Sequence, residues 1–285
     1  MPINAAAVGS ETAAYDHAIT TRQCLAYAAA LGETSAVHFD DARLGGIVAV
    51  PAMVVALEWP PSRDLRLIEE FGVTPEEHLR VVHAEQDTQY HALIRPGDEL
   101  RAKGRLVGVE AIKPGAKTLT KLTLETAEGA PVATSYSTAI YRGVAVDGTD
   151  AVEETAPAWP ETPAPEGWAE TPVPVARQFP HIYTECADIF SAIHTERTVA
   201  LAAGLPDIIA HGTSTWALAA KVITAAHLDG DPGRLARFTG RFTGMVIPGT
   251  TITVRHAAIA GGVRYEVLAA DGAKAISLGR AMFKD

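Results

Sequence analysis

Two segments of the chain are apolar at nearly every position over more than one helical turn. MVVALEW (53–59) and STWALAAKVITAAHL (214–228) are predicted as helices. The second carries alanine at many positions and apolar residues around most of its circumference, which predicts a buried helix. Elsewhere the pattern is one of strand-like runs separated by turn residues. LTKLTLETAEGAPVATSYSTAIYRG (119–143) and GVRYEVLAADGAKAISLGRAMF (262–283) each hold two such runs around a turn. Glu128-Gly129 and Asp271-Gly272 stand where a hairpin needs its reversal.

These landmarks form an internal repeat. In the first half GETSAVHFDD (32–41) precedes GGIVAVPAMVVAL (45–57); in the second DIFSAIHTER (188–197) precedes PDIIAHGTSTWAL (206–218). An apolar-Pro-Gly turn follows in each, LIRPGDEL (93–100) and MVIPGTTI (245–252), and a hairpin closes each. Between the halves, residues 144–178 are rich in proline and acid with no apolar period, the composition of an extended linker. The expected organisation is therefore a first unit at 1–143, a linker at 144–178 and a second unit at 179–285. Each unit is expected to be α+β, with short helices, one long apolar helix and several antiparallel strands. A sheet wrapped around a buried helix covers the apolar face of both.

Composition narrows the function. The chain has 285 residues, 47% hydrophobic and 20% charged, as a globular protein should. A net charge of −10 argues against a nucleic-acid partner, because phosphate binding needs a basic face. Two cysteines, Cys24 and Cys186, are too few for a disulfide framework, which suggests a reducing, cytoplasmic setting. No basic-then-apolar leader and no apolar run of membrane-spanning length are seen, so no membrane partner is expected. His83, His91, His181, His227 and His256 show no ligand spacing with a nearby cysteine or carboxylate, and no metal or other cofactor is expected.

The most informative stretch is YTECADIFSAIHTERTVALAAGLPDIIAHGTSTWAL (183–218). It resembles the MaoC-like family of (R)-specific enoyl-CoA hydratases and 3-hydroxyacyl thioester dehydratases. That family's signature has an Asp, then Asn-Pro-hydrophobic-His five residues on, then an acid. A His-Gly pair opening the central helix follows. His194 matches the histidine, Glu196 the following acid, and His211-Gly212 the helix opening. The resemblance implies a tandem, double hot-dog fold and hydration of trans-2-enoyl-CoA to 3-hydroxyacyl-CoA. It implies an acyl-CoA thioester as substrate, and either a monomer or a homodimer.

The chemistry explains the motif. Hydration needs a water held and deprotonated as it attacks the β-carbon, and a proton delivered to the α-carbon. The thioester oxygen gathers negative charge, which an N–H at a helix N-terminus stabilises. The candidate catalytic residues are Asp188, His194 and Gly212, with Ser191 and His211 as candidate substrate-binding residues. The pattern departs from the family in one respect. Ile189 lies five residues before His194, with Asp188 one position further back, and Ser191-Ala192 replace Asn-Pro. Either Asp188 turns inward, or the acid is lost and Glu185 or Glu196 takes its place. The first half has the opposite mixture. Glu33 lies five residues before His38, yet Pro51, which has no N–H, stands where Gly212 does. That half is expected to be supporting and to make room for the acyl tail, as related two-unit members do. Two other assignments stay open: a hot-dog thioesterase, and a degenerate, non-catalytic acyl-binding subunit.

Overall fold

Ten strands carry the architecture of the computed structural model, which describes residues 2–78 and 80–284. In chain order they are β1 (Tyr15–Ala18), β2 (Val81–Tyr90), β3 (Glu99–Ile112), β4 (Gly115–Thr126) and β5 (Pro131–Arg142). Then follow β6 (Ala169–Val175), β7 (Leu235–Phe242), β8 (Thr250–Ile259), β9 (Gly262–Leu268) and β10 (Lys274–Phe283). The first five are ordered β1-β3-β4-β5-β2 and the second five β6-β8-β9-β10-β7. With each set counted from its own first strand, these two orders are the same. The helices lie between the first and second strand of each set: α1 (Thr21–Ala30), α2 (Ala36–Phe39) and α3 (Val54–Asp64), then α4 (Phe179–Ala187), α5 (Arg197–Ala202) and α6 (Gly212–His227).

The repeated landmarks have repeated hydrogen bonds. In the hairpins, Thr126 N–H donates to the Ala130 carbonyl and Ala269 N–H to the Ala273 carbonyl, 2.8 Å each. Gly129 (φ 84°) and Gly272 (φ 82°) take the left-handed position that such turns require. Both Pro-Gly turns dock on the end of the first strand of their half. Gly97 N–H reaches the Ile19 carbonyl at 2.8 Å, and Gly249 N–H the Val175 carbonyl at 2.7 Å.

Packing groups the chain into two compact units. One comprises the stretch ending at His17, Leu57–His91 and Glu99–Pro160; the other comprises Ala18–Ala56, Ala92–Asp98 and everything from Glu161 on. In the first, Ile3, Leu65 and Phe71 are buried against Leu106, Val109 and Tyr141. In the second, α6 lies against β7, β8, β9 and β10. Trp216 of α6 meets Phe238, whose ring stacks on Tyr265 at 4.8 Å. Ten of the sixteen α6 residues are buried, as its apolar circumference predicts.

Two local expectations need correction. The proline-rich stretch 144–178 is not featureless: it contains β6 and two short strands, Val146–Asp147 and Ala151–Val152. Pro172 and Pro174 are tolerated in β6 because it is the edge of its sheet, paired only with β8. The helix expected at 53–59 starts at Val54 and runs through Pro60 and Pro61 to Asp64, following a 3₁₀ turn at Pro51–Met53. Among the described residues no helix is long and apolar enough to cross a membrane.

Candidate active site

The loop that follows α4 is fixed by backbone hydrogen bonds rather than by side-chain caps. α4 ends at Asp188, whose φ of 55° lies in the left-handed region, and Ile189 N–H turns back to the Thr184 carbonyl at 3.3 Å. This reversal exposes Asp188 and turns Ile189 inward, where it is 5% exposed. Ser191 then caps a single 3₁₀ turn, Ala192–His194. The acid sought at the inward position is therefore an isoleucine, and the carboxylate of Asp188 faces outward.

His194 and His211 come together. Their rings stack with centroids 3.7 Å apart and 29° between planes. His194 Nδ1 lies 2.8 Å from the Ile209 carbonyl oxygen, so Nδ1 carries the proton of the neutral ring and Nε2 keeps its lone pair. Burial pushes His194 down to about 4, with the carbonyl pulling the other way. His211, 3% exposed, is pushed down to about 2, chiefly by burial and further by His194. Its Nε2 lies 3.2 Å from Thr184 Oγ1 and 3.3 Å from the Ile189 carbonyl. At neutral pH both rings are uncharged, and His194 offers an unprotonated nitrogen.

Gly212 begins α6 directly after His211, whose side chain makes no cap hydrogen bond. The first amides of a helix have no acceptor within it and lie at the positive end of its dipole. Packing is also close here, since a Cβ at Gly212 would lie 3.1 Å from the Phe242 ring, which would have to give by a few tenths of an ångström. A neutral imidazole and a helix N-terminus stand side by side, the pairing that water addition to a conjugated carbonyl needs.

The same loop exists in the first half. Gly32 (φ 60°) corresponds to Asp188, Glu33 to Ile189, Ser35 to Ser191 and His38 to His194. His38 Nδ1 lies 2.8 Å from the Val48 carbonyl, and Ala49 N–H reaches Ile94 O at 2.9 Å, as Ala210 N–H reaches Val246 O at 2.8 Å. Pro51 thus occupies the place of Gly212. A tyrosine pair, which sequence reasoning missed, joins α1 and α4, the helices that lead into the two loops. Tyr27 and Tyr183, each eleven residues before its histidine, bring their hydroxyls to 3.0 Å. Tyr27 also donates to the Ala52 carbonyl at 2.9 Å, and Tyr183 lies 3.3 Å from Thr213 Oγ1. The equal spacing to the histidines was the available signal.

With this geometry in hand, comparison with known proteins is direct. Residues 6–135 match a FAS1-like dehydratase domain region and residues 168–265 a MaoC-like domain. The enoyl-CoA hydratase ChsH3 of Mycobacterium tuberculosis is 29% identical over 178 residues, which span 62% of this chain and 61% of that protein. A MaoC-like dehydratase from Phytophthora capsici, at 21% identity, superposes with a TM-score of 0.82 over 97% of this chain and 96% of its own. A Mycobacterium tuberculosis protein described as a double hotdog fold, at 14% identity, gives 0.62 over 97% of this chain and 95% of its own. The chain belongs to the MaoC-like hydratase and dehydratase family, in its double hot-dog form.

Proposed function

We propose that this protein is a lyase that reversibly adds water to a trans-2-enoyl thioester, with CoA as the carrier, giving the 3-hydroxyacyl thioester. The observation that carries the proposal is the His194 ring, fixed through Nδ1 and stacked on the residue that opens α6. In this reading His194 Nε2 takes a proton from water as the oxygen bonds to the β-carbon. The π electrons shift towards the thioester oxygen, which the Gly212 N–H holds. The imidazolium then returns its proton to the α-carbon, so His194 acts first as base and then as acid. Ser191 opens the 3₁₀ turn that carries His194, and Asp188, whose carboxylate faces outward, takes no part in the proton transfers. The hydratase ChsH3 and the two matched domain families support this substrate class. We propose, too, that the chain is organised as two hot-dog halves, the second of which begins with β6 at Ala169.

The test follows the ultraviolet absorbance of crotonyl-CoA and a longer trans-2-enoyl-CoA, together with a thiol reagent. Loss of the conjugated band without release of thiol is expected in the wild type, and not in His194→Ala. Thiol release would instead identify a thioesterase. An unchanged band and no thiol would leave an acyl-binding subunit.

A further inference from the structure

The amide that opens α6 belongs to the same peptide as the His211 carbonyl. A trans peptide is flat and points its N–H and C=O in opposite directions, so whatever holds that carbonyl also aims the Gly212 N–H. Two residues hold it, each by backbone and by side chain. The Ser214 and Thr215 amides donate to the His211 carbonyl at 3.1 Å each, as amides of an opening turn do to the capping residue. The Ser214 hydroxyl adds a contact of 2.8 Å and the Thr215 hydroxyl one of 3.3 Å. The shortest of the four comes from a side chain. Both residues are buried, Ser214 at 0% and Thr215 at 3% exposed.

The first half shows what these hydroxyls accompany. There Pro51 stands at the place of Gly212, and Met53 and Val54 stand at the places of Ser214 and Thr215. The half without an N–H carries apolar side chains where the half with one carries hydroxyls. Helix formation does not call for them, since serine and threonine that bond back to a carbonyl three or four residues earlier are neutral or slightly unfavourable in a helix. Their effect falls instead on the peptide. Hydrogen bonds accepted by a carbonyl draw electron density onto its oxygen, which leaves the amide nitrogen more positive and makes its N–H a stronger donor.

We propose that Ser214 and Thr215 are positioning residues for the thioester oxygen, aiming and strengthening the Gly212 amide through the His211 carbonyl. The role rests on the hydration reading of the site. As water adds at the β-carbon, negative charge grows on the thioester oxygen and is drawn towards the Gly212 N–H. The peptide responds by moving electron density towards the His211 oxygen, where the two hydroxyl protons meet it. No proton leaves Ser214 or Thr215, and neither touches the substrate. The carbonyl they hold belongs to the residue whose ring stacks on His194 at 3.7 Å, so the residue they fix lies between the base and the amide.

The test uses 2,4-hexadienoyl-CoA, whose absorbance moves to longer wavelength when a hydrogen bond polarises its thioester carbonyl. The ligand is bound to full-length His194→Ala, which is expected not to hydrate it. A red shift is expected there, and a smaller one when Ser214→Ala and Thr215→Val are added, substitutions that keep shape and remove the hydroxyls. With His194 in place, the Ser214→Ala/Thr215→Val pair is expected to lower kcat for crotonyl-CoA about tenfold with KM nearly unchanged, part of what loss of a whole donor costs. Restoring one hydroxyl, in Ser214→Ala/Thr215→Ser, is expected to recover part of the rate. An unshifted band in His194→Ala, or a shift and a rate indifferent to the paired substitutions, overturns the proposal. A fall in melting temperature with the shift per bound ligand unchanged also overturns it, because the hydroxyls would then serve packing alone. If the wild type does not hydrate crotonyl-CoA while the hydroxyl-dependent red shift appears, the hydration reading fails and the thioester-polarising role of the two residues remains.

Discussion

The loops Glu33-Thr-Ser-Ala-Val-His38 and Ile189-Phe-Ser-Ala-Ile-His194 follow one backbone course and divide the chemistry between them. Both begin after a left-handed residue, Gly32 at φ 60° and Asp188 at φ 55°. Both anchor a histidine by Nδ1 on a carbonyl at 2.8 Å. The first has the carboxylate and lacks the helix-opening amide; the second has the amide and lacks the carboxylate. A duplicated fold can thus hold the geometry of two loops constant while substitutions at single positions, 33/189 and 51/212, redistribute their function.

The largest expected effect tests that division within the second loop. His194→Ala removes the only anchored base there and is expected to lower kcat/KM for crotonyl-CoA hydration by about 10²–10⁴-fold. Asp188→Asn, at an exposed helix end, is expected to change it by less than about threefold, since surface substitutions away from special features are nearly neutral. Steady-state kinetics of both variants decides the matter. Equal losses would mean that the Asp188 carboxylate takes part in the chemistry.

Much of this was legible in the chain. The hairpin and Pro-Gly turns and α6 were marked by residue type and spacing, and His194 and His211-Gly212 by the resemblance to the family's motif. The direction of Asp188 was not, because it depends on the handedness of one backbone position. Nothing in the residue types of 187–190 distinguishes a left-handed aspartate from a helical one. The Tyr27–Tyr183 pair was hidden for another reason: its members lie far apart in sequence. The edge strand β6 was masked by its prolines, which suit a linker equally well.

Exchanging the inward residue sharpens the comparison through stability. Ile189→Asp places a carboxylate in a site that is 5% exposed and is expected to cost about 3 kcal/mol, from lost apolar burial and unpaired charge. The reverse exchange, Glu33→Ile, loses only two amide contacts in a partly exposed loop and is expected to cost about 1 kcal/mol. Urea denaturation of the two variants measures both. Similar costs would mean that the loops do not differ in enclosure.

Gly212→Ala probes the amide side of the division. The added methyl would meet the Phe242 ring at 3.1 Å, so either the ring or the start of α6 must shift. A fall of about tenfold in kcat/KM is expected, with little change in melting temperature, because misplacement of an oxyanion donor weakens charge stabilisation before it weakens packing. A fall in melting temperature with full activity would make Gly212 a packing residue only.

With pH the two compact units oppose each other. In the second unit His194 and His211 are held at about 4 and about 2 by burial. Below about pH 6.5 the unfolded chain binds more protons at these positions than the folded one, so their contribution to stability is full above that pH and declines as pH falls towards 4. In the first unit Glu58, buried beside Gln86, is pushed up to about 8 by loss of solvent. Here the folded chain binds the extra proton, so stability is full below about pH 4.5 and declines as pH rises towards 8. Thermal unfolding of Glu58→Gln should therefore lose the decline on the alkaline side and keep the one on the acid side. In the free enzyme the neutral His194 also predicts hydration kcat/KM that stays level from pH 8 to about 5 and falls only on approach to 4. A fall centred near 6.5 would show that the ring is hydrated in solution and that its proton affinity is that of an ordinary histidine.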